Sequence, residues 1–387
     1  MIKAVLLDLD NTLLRNPDRQ WARTFIQGWD RYFEDRHGIT RASVALRSAI
    51  GQLNQDGDTC QSNADVMAEE LAKRLPLSRE ELESALDEFY AGPYHCFRET
   101  TAPIAGAREL VEALLDQDLL VAVATNPLFP ESATYARIAW AGLADYISAF
   151  AFITNSENMH YAKPDPAYFA ETIARVGVEP DEALVIGDSL PNDIEAAQAL
   201  GIHAWQVCED LALGAVLERV RQPDWVNALP PGKMTPETLP PQFKGNLAAL
   251  RGLLAEVKDH QWLQRPDPAE WSILQILCHL WRAETEVHQQ RLRTILQEDN
   301  PFIPSLPPPG PDIPECHDDG MEVFARFRSE RQRTMATLAE LCAGDWRRPA
   351  RHSIFGLTDL LEMAYFTAQH DRLHITQLCQ TLGKCAD

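Results

Sequence analysis

The stretch Val5-Leu-Leu-Asp8-Leu-Asp10-Asn-Thr12-Leu-Leu14 decides the fold of the first part of the chain. Its apolar beginning predicts a buried strand over Lys3–Leu7. Asp8 and Asp10 follow at positions i and i+2, so they share one face at the carboxyl end of that strand, where open α/β sheets bind ligands. Two clustered carboxylates are costly at a buried strand end unless a cation binds between them. The stretch therefore predicts a site for Mg²⁺, a cation that prefers oxygen ligands.

Four further short apolar runs have the character of buried strands. They are Leu119–Ala124, Ala149–Ile153, Ala183–Ile186 and Ile202–Trp205. Helical patterns separate most of these runs, for example Gly106–Gln117 and Pro166–Val176. Alternation of strands and helices predicts an α/β fold with a parallel sheet.

The interval from about residue 16 to 98 breaks this alternation because it contains helical patterns and no strand-like run. Its first helical pattern places four aromatic residues at every fourth position, and therefore on one helix face. These residues are Trp21, Phe25, Trp29 and Phe33. An aromatic stripe of this kind is more typical of core packing than of a ligand site, so we predict a helical insert after the first strand.

Three polar motifs follow other predicted strands or precede a helix. Thr125-Asn126 comes directly after Leu119–Ala124, where a hydroxyl and an amide can hold phosphate oxygens. Lys163 begins the sequence Lys163-Pro164-Asp165-Pro166, which is a loop signal before a helix. Gly187-Asp188-Ser189-Leu-Pro-Asn192-Asp193 follows Ala183–Ile186 and adds carboxylates. Within it, Ser189 and Asn192 are expected to form a turn and a helix cap.

Taken together and in this order, the four motifs resemble those of the haloacid dehalogenase superfamily. Each motif alone is short, and the specificity comes from the order of all four and from the strands that precede them. The resemblance implies a Rossmann-like parallel sheet over residues 1–222 and a helical cap over about 16–98. An enzyme of this kind is expected to hydrolyse a small phosphorylated metabolite.

The resemblance also implies a mechanism. Asp8 would attack phosphorus and form an aspartyl-phosphate. Asp10 would protonate the leaving oxygen and then deprotonate the hydrolytic water. Dehalogenase and phosphonate-cleaving relatives lack an acid/base aspartate at this place, so Asp10 favours phosphorus chemistry with an oxygen leaving group. A phosphomutase keeps the same aspartate and remains an alternative.

The other motif residues receive binding roles from the same resemblance. Thr125 and Asn126 would position the phosphoryl group, and Lys163 would neutralise negative charge on it and on the nucleophile. Mg²⁺ would be held by Asp8, the backbone carbonyl of Asp10, Asp188 and Asp193, the last of which could instead support Lys163. Three residues before Lys163, namely Asn155, Asn158 and His160, are interpreted as loop surface.

Proline-rich stretches divide the rest of the chain. Residues 223–242 contain six prolines, a density that is expected to exclude helices and strands, and are predicted to be an interdomain linker. Beyond it the chain is predicted to be wholly helical, as an all-α four-helix bundle over 243–387. The four helical patterns are Phe243–His260, Ser272–Glu298, Met321–Cys342 and Gly356–Leu382, with a proline-rich crossover at 299–316. Ser272 and Gln275 have the spacing of a capping box.

Histidines in the predicted bundle have the spacing of metal ligands. His370 and His374 lie at i and i+4 on one helix face, which suits one metal ion. His279 lies among apolar residues and could face the interior of the bundle. A buried histidine that is simply hydrogen-bonded, with a chance surface pair, is the competing interpretation. His288 is expected to face away from His279, because nine positions are half a turn around the helix axis.

A Trp271-to-His279 helix, a proline-rich crossover and the final His-x₃-His helix resemble the DinB-like bundle family over about 243–382. The resemblance implies that His279, His370 and His374 hold a divalent metal such as Zn²⁺ or Ni²⁺. Several relatives resemble thiol transferases, so a detoxifying transferase is an alternative function for the chain. Asp371 and Glu286 are candidates for hydrogen-bonding partners of the metal-binding histidines.

Charge and cysteine content limit the classes of partner. The net charge is −22, and residues 51–200 hold 26 acidic against 8 basic residues. This field excludes nucleic acid and anionic membranes as expected partners. Eight cysteines without CxxC spacing indicate reduced thiols, and neither a signal peptide nor a membrane span is recognisable, so a cytoplasmic protein is expected. The oligomeric state stays open, a homodimer included.

Overall fold

The structure is a computed structural model and describes residues 1–53, 61–208, 212–306, 310 and 319–385. The chain divides into two compact units, Met1–Gly232 and Lys233–Asp387. The division lies inside the predicted linker. None of the helices in the described ranges has the length and hydropathy needed to cross a bilayer.

A five-stranded parallel sheet forms the centre of the first unit, with the strand order β5-β4-β1-β6-β7. The strands of this unit are β1 (Ala4–Leu7), β2 (Leu14–Arg15), β3 (Ala102–Pro103), β4 (Leu120–Val123), β5 (Phe152–Ile153), β6 (Ala183–Gly187) and β7 (His203–Gln206). Strand β1 is buried along its whole length because it pairs with a neighbour on each side. The predicted α/β fold is confirmed. Only the strand predicted at Ala149–Ile153 is much shorter, since Ala144–Ala149 forms a 3₁₀ helix.

Helices surround the sheet and form the insert. They are α1 (Asp18–His37), α2 (Ser43–Leu53), α3 (Asn63–Ala72), α4 (Arg79–Ala91), α5 (Ala107–Leu115), α6 (Glu131–Trp140), α7 (Pro166–Val176), α8 (Ala196–Gln198) and α9 (Leu213–Val220). Helices α1 to α4 and a 3₁₀ helix at Pro93–Thr100 are the cap. The short antiparallel pair β2–β3 brackets this insert, with Leu14 opposite Pro103. The cap is therefore connected to the core through two paired strands, one at each end of the insert.

Aromatic packing holds the cap together. The four aromatic residues of α1 are all buried in one core cluster, as the interpretation of the stripe requires. Phe25 and Trp29 also contact Phe89 of α4 through edge-on rings. Trp21 and Phe25 have a second environment, because both line the cavity described below.

The second unit is a four-helix bundle with a small sheet. Its helices are α10 (Leu239–Ala255), α11 (Ile273–Arg282), α12 (Gln289–Gln297), α13 (Gly320–Ala339) and α14 (Leu360–Lys384), and its strands are β8 (Phe302–Ile303), β9 (Pro349–His352) and β10 (Gly356–Asp359). A π turn at Ala283–His288 joins α11 to α12, so that they act as one bundle helix. The predicted capping box of Ser272 and Gln275 is present.

The prediction that this part of the chain is wholly helical is wrong at the three strands. Residues of β9 alternate between exposed and buried positions, which is the pattern of a strand with one face on the core. Gly356 begins β10 with φ at 78°, a conformation open to glycine. His352 is the last residue of β9 and takes one of its buried positions.

Two expectations about the linker and the cysteines also differ from the structure. Pro240 and Pro241 lie in the first turn of α10, where proline is tolerated because that turn needs no intrahelical N–H donor. Trp225 is buried in the first unit, where its indole N–H donates to Gln117 at 2.8 Å. Cys278 is disulfide-bonded, so the expectation that every cysteine is reduced is wrong there.

Candidate active site and histidine cluster

A cavity of about 440 Å³ lies at the carboxyl end of the parallel sheet of the first unit. Because β1, β4 and β6 are parallel neighbours, the residues that follow them meet at this edge. Six of the predicted site residues line the cavity, namely Asp8, Asp10, Asn126, Lys163, Asp188 and Asp193. The wall contributed by the cap is mainly apolar and includes Trp21, Phe25, Ile26, Leu46 and Ile50.

The Lys163 ammonium group lies between two carboxylates. Its Nζ donates to Oδ1 of Asp8 at 2.8 Å and also to Oδ1 of Asp193. Burial lowers the pKa of Lys163, but the charges of Asp8 and Asp193 outweigh it and hold that pKa above its ordinary value. Lys163 is therefore a fixed positive charge beside Asp8.

Three carboxylates are close enough to share one cation. Asp8, Asp188 and Asp193 each offer an oxygen atom, and these atoms lie within 4.8 Å of one another. Burial raises the pKa of Asp8 to about 6, with Lys163 acting to lower it and Asp193 to raise it. The group of acids thus carries more negative charge than Lys163 alone can compensate, which fits a hard divalent cation with oxygen ligands.

Asp193 reaches this group because the chain after β6 forms a π turn at Leu190–Glu195. Its Oδ2 accepts from the backbone N–H of Ser189 at 3.0 Å. The side chain of Ser189 in turn accepts from the N–H of Asn192, as expected of a turn and cap. Asp193 therefore supports Lys163 directly, in addition to lying within reach of a cation.

The backbone of Thr125 is fixed by two hydrogen bonds, and Thr125 itself is not among the residues that line the cavity. Its backbone carbonyl accepts from the hydroxyl groups of Thr154 and Tyr168, both at 2.8 Å. Its own buried hydroxyl has no hydrogen-bond partner among the described residues. A buried hydroxyl of this kind is costly unless a ligand supplies a partner. Asn126, next in the chain, accepts the backbone N–H of Lys163 at 3.2 Å through its side-chain oxygen.

The three predicted histidines of the second unit also lie together. Ring nitrogens of His279, His370 and His374 lie within 4.8 Å of one another, and the two Nε2 atoms of His279 and His370 are 3.1 Å apart. Trp271 stacks on His374 with ring centroids 5.8 Å apart. Burial lowers the pKa of His279 to about 4 and also lowers the pKa values of His370 and His374. All three imidazoles are therefore neutral at pH 7, the form that binds metals.

Comparison with known proteins agrees with both geometries. Residues 2–201 match the haloacid dehalogenase-like hydrolase family, and residues 242–378 match the DinB superfamily. The chain belongs to the haloacid dehalogenase-like hydrolases. Its C-terminal unit is a DinB-like four-helix bundle.

Similar proteins include curated phosphatases and a solved bundle. The chain is 29% identical over 210 residues to the ribulose-1,5-bisphosphate 5-phosphatase of Halopiger xanaduensis, covering 52% of this chain and 83% of that protein. It is also 29% identical over 214 residues to the phosphoglycolate phosphatase of Nitrosospira multiformis, covering 53% and 83%. The structure of YfiT from Bacillus subtilis, a four-helix bundle, matches with 18% identity over 36% of this chain and 81% of that one, with a TM-score of 0.31.

Within this hydrolase fold, two contacts of Asp10 were not predicted from the sequence. Arg137 of α6 forms an ion pair with Oδ1 of Asp10 through Nη2, and Asn16 donates to the same oxygen at 3.1 Å. Burial lowers the pKa of Arg137 to about 10, so its guanidinium stays charged at neutral pH. An arginine inside the otherwise apolar run of α6 is the signal that could have identified it.

The interpretation of Asn155, Asn158 and His160 as loop surface is wrong for two of them, because Asn155 and His160 are buried, while Asn158 is half-buried. His160 lies 2.7 Å from the fully buried carboxyl group of Glu171. The loop is also hydrogen-bonded to the cap, since the backbone N–H groups of Asn63 and Ala64 donate to carbonyl oxygens of the loop. These residues therefore join the cap to the segment that ends at Lys163.

His288 does not face away from the histidine cluster. Its Nε2 lies 3.4 Å from Nδ1 of His370, and the residue is buried. The π turn at Ala283–His288 explains the difference, because a wider turn accommodates one extra residue and rotates the following side chains. Sequence periodicity assumes a regular α-helix and could not show this.

Among the described residues, the side-chain partners of Asp371 are a buried arginine and an asparagine rather than a histidine. The guanidinium group of Arg331 donates two hydrogen bonds to Asp371, at 2.7 and 3.0 Å, and one to Glu284 at 2.8 Å. Asn246 donates to Asp371 at 3.3 Å. This ion-pair group links three bundle helices to one another.

Proposed function

We propose that the first unit is a Mg²⁺-dependent phosphatase that hydrolyses a small phosphorylated metabolite through a phosphorylated Asp8. The observation that carries the proposal is the position of Lys163 between Asp8 and Asp193, with Asp188 within reach of both carboxylates. The two curated relatives described above are named as phosphatases, and the match covers 83% of the length of each.

The donor set fits magnesium. Asp8, Asp188 and Asp193 would hold the ion through carboxylate oxygens, with the backbone carbonyl of Asp10 as a further oxygen donor. When bound there, the ion supplies positive charge to the oxygens of the phosphoryl group. The amide of Asn126, which lines the cavity, would hold a further phosphoryl oxygen. The buried hydroxyl of Thr125, next to it in the chain, is unpartnered and would donate to another.

The first step breaks the phosphate ester. A carboxylate oxygen of Asp8 attacks phosphorus, the bond from phosphorus to the leaving oxygen breaks, and the proton on Asp10 passes to that oxygen. In the second step Asp10 accepts a proton from water, whose oxygen attacks phosphorus, and the bond to Asp8 breaks to release phosphate. Lys163 keeps its proton throughout and stabilises the negative charge that develops beside Asp8. The cap excludes bulk water from both steps.

Substitution of the nucleophile tests this proposal. We expect Asp8→Asn to abolish Mg²⁺-dependent release of phosphate from a generic aryl phosphate. The exposed Asp116→Asn variant, which changes the carboxyl group at the C-cap of α5, should retain wild-type turnover. Turnover by Asp8→Asn at the wild-type rate would contradict the mechanism. Release of free phosphate from a sugar phosphate, without transfer to a second hydroxyl, separates a hydrolase from a phosphomutase.

For the second unit we propose a divalent transition metal, Zn²⁺ or Ni²⁺, bound by His279, His370 and His374. The proximity and neutrality of the three imidazoles support this proposal. When bound, such an ion can activate a thiol at an open coordination position. A thiol transferase is therefore the second candidate function, and it would use this site independently of Asp8.

Metal analysis of the full chain, purified without a histidine tag, tests the second site. We expect one equivalent of metal that is lost in His370→Ala and kept in His260→Ala, a change at an exposed histidine of the same unit. Absence of stoichiometric metal from the wild-type chain would overturn the proposal. Thiol conjugation that persists in Asp8→Asn and disappears in His370→Ala would establish the transferase.

A further inference from the structure

The two partners of Asp10 leave its two carboxylate oxygens in different environments. Arg137 and Asn16 both donate to Oδ1. The described residues donate no hydrogen bond to Oδ2. An oxygen that accepts two hydrogen bonds, one of them from a charged guanidinium, is the poorer site for a proton. The proton that Asp10 exchanges is therefore carried on Oδ2.

Arg137 is held in place by one aromatic ring from the cap and one from the core. Its guanidinium carbon lies 5.2 Å from the ring centre of Trp21 and 5.1 Å from that of Phe129. Trp21 belongs to cap helix α1, whereas Phe129 follows β4 in the core. The two rings also contact each other edge-on at 5.6 Å. The position of the cap and the position of the guanidinium are therefore linked by direct contact.

We propose that Arg137 is a positioning residue that orients Asp10 for proton transfer, and that Trp21 makes this orientation depend on closure of the cap. When the cap is closed, Trp21 covers the guanidinium and excludes water from its ion pair with Asp10. When the cap opens, Arg137 loses this cover and the acid/base is no longer held. This inference rests on the proposed phosphatase function.

The physical basis is the directionality of proton transfer. The leaving oxygen must receive its proton from Oδ2 as its bond to phosphorus breaks, and Oδ2 must then receive a proton from the attacking water. A carboxyl group free to rotate would present either oxygen, and only one of them would carry the proton toward the substrate. Two donors that fix Oδ1 keep Oδ2 directed at the substrate, so that proton transfer does not depend on rotation of the carboxyl group.

The leaving group provides a test that a purely structural role would not satisfy. An aryl phosphate with a good leaving group needs little protonation, whereas an alkyl phosphate needs it fully. We expect Arg137→Gln to lower kcat/KM about 30-fold or more for an alkyl phosphate and less than about 3-fold for 4-nitrophenyl phosphate, since general acid catalysis contributes roughly 10²–10⁴-fold. Arg137→Lys, which restores a donor and a charge, should recover part of the alkyl phosphate activity.

Arg175→Gln is the matched control. Arg175 also lies over an aromatic ring, that of Phe152 at 5.0 Å, but it does not line the cavity. This variant should leave the ratio of the two kcat/KM values unchanged. Trp21→Leu should reproduce the selective loss on the alkyl phosphate, and Trp21→Phe should reproduce it more weakly because it keeps an aromatic face.

An equal loss on both substrates in Arg137→Gln, or no loss on either, would overturn the positioning role. If Arg137→Gln does not fold, the same comparison is made with Arg137→Lys and the Trp21 variants, where an unchanged ratio overturns the inference. Asp8→Asn separates the two proposals. If Asp8→Asn loses all activity but the ratio of the two kcat/KM values is unchanged in the Arg137 variants, only this inference is refuted. If Asp8→Asn retains activity, the phosphatase function is refuted, and this inference with it.

Discussion

Gly187 lies directly against the carboxyl group of Asp193: a Cβ atom added to Gly187 would be 2.4 Å from Cγ and Oδ2 of Asp193. No side chain can occupy position 187 unless Asp193 moves. Because Asp193 also accepts from Lys163 and from the N–H of Ser189, such a movement would disturb the whole group around Asp8. The glycine that ends β6 therefore determines where the Lys163 ammonium lies.

Gly187→Ala should displace Asp193 and impair both stability and metal binding. We expect a loss of about 1–3 kcal/mol in the free energy of unfolding, as for other overpacked sites, and a higher Mg²⁺ concentration for half-maximal activity. Thermal unfolding and Mg²⁺ titration of phosphate release measure the two effects. Gly214→Ala, at a position with open space around it, is the control. Wild-type Mg²⁺ dependence in Gly187→Ala would show that Asp193 can shift without consequence.

Mg²⁺ binding should depend on pH through Asp8. The pKa of Asp8 in the metal-free chain is raised to about 6 by burial, so this carboxyl is protonated below pH 6 and favours the folded metal-free state there. That contribution to stability is lost as the pH rises through 6, and Mg²⁺ then takes the place of the proton.

The apparent Mg²⁺ affinity should accordingly fall as the pH is lowered from 7 to 5, by about tenfold per pH unit once the pH is well below 6. Isothermal titration calorimetry in buffers of different ionisation enthalpy should detect about 0.8 proton released per ion at pH 5.5, because an acid of pKa about 6 is about three-quarters protonated there. The Asp8→Asn variant should show a much flatter dependence. If the Mg²⁺ affinity depends equally on pH in the wild type and in Asp8→Asn, the released proton comes from another group.

His288→Gln should weaken metal binding in the second unit without removing a metal ligand. Its ring lies 3.4 Å from the Nδ1 atom of His370, and partners of this kind orient a metal-binding imidazole. We expect a loss of about 10-fold in affinity, measured by competition with a chromophoric chelator, and an unchanged stoichiometry of one ion. His260→Gln is the control. A complete loss of metal would instead make His288 a ligand.

Arg331→Met should destabilise the bundle strongly because it leaves Glu284 and Asp371 buried without a cation. Burial already raises the pKa of Asp371 to about 6 while Arg331 acts to lower it. We expect a loss of about 3–5 kcal/mol, typical of a buried ion pair that loses one partner, in urea unfolding at pH 7. Arg333→Met, at an exposed arginine on the same helix, should change stability by less than about 0.5 kcal/mol. Similar midpoints for the two variants would contradict the structural role of Arg331.

Local sequence patterns were sufficient to place three site residues at strand ends and two histidines on one helix face. Lys163 and His279 were assigned their roles through the resemblance to the two families. Asp8, Thr125 and Asp188 each follow a short apolar strand, and the carboxyl ends of neighbouring parallel strands share one edge by geometry alone. His370 and His374 share a helix face because one helical turn separates them. In each case the relevant geometry extends over a few residues, so the residue types and their spacing determined it.

Tertiary structure decided the partners that position those groups. Arg137 meets Asp10 across 127 positions of chain only because the cap aromatic Trp21 and the core aromatic Phe129 confine the guanidinium. His288 turns toward His370 because a π turn changes the helix phase, which no α-helical period predicts. Contacts of this kind depend on how distant segments pack and on small departures from regular geometry, and neither is encoded in the spacing of residues along the chain.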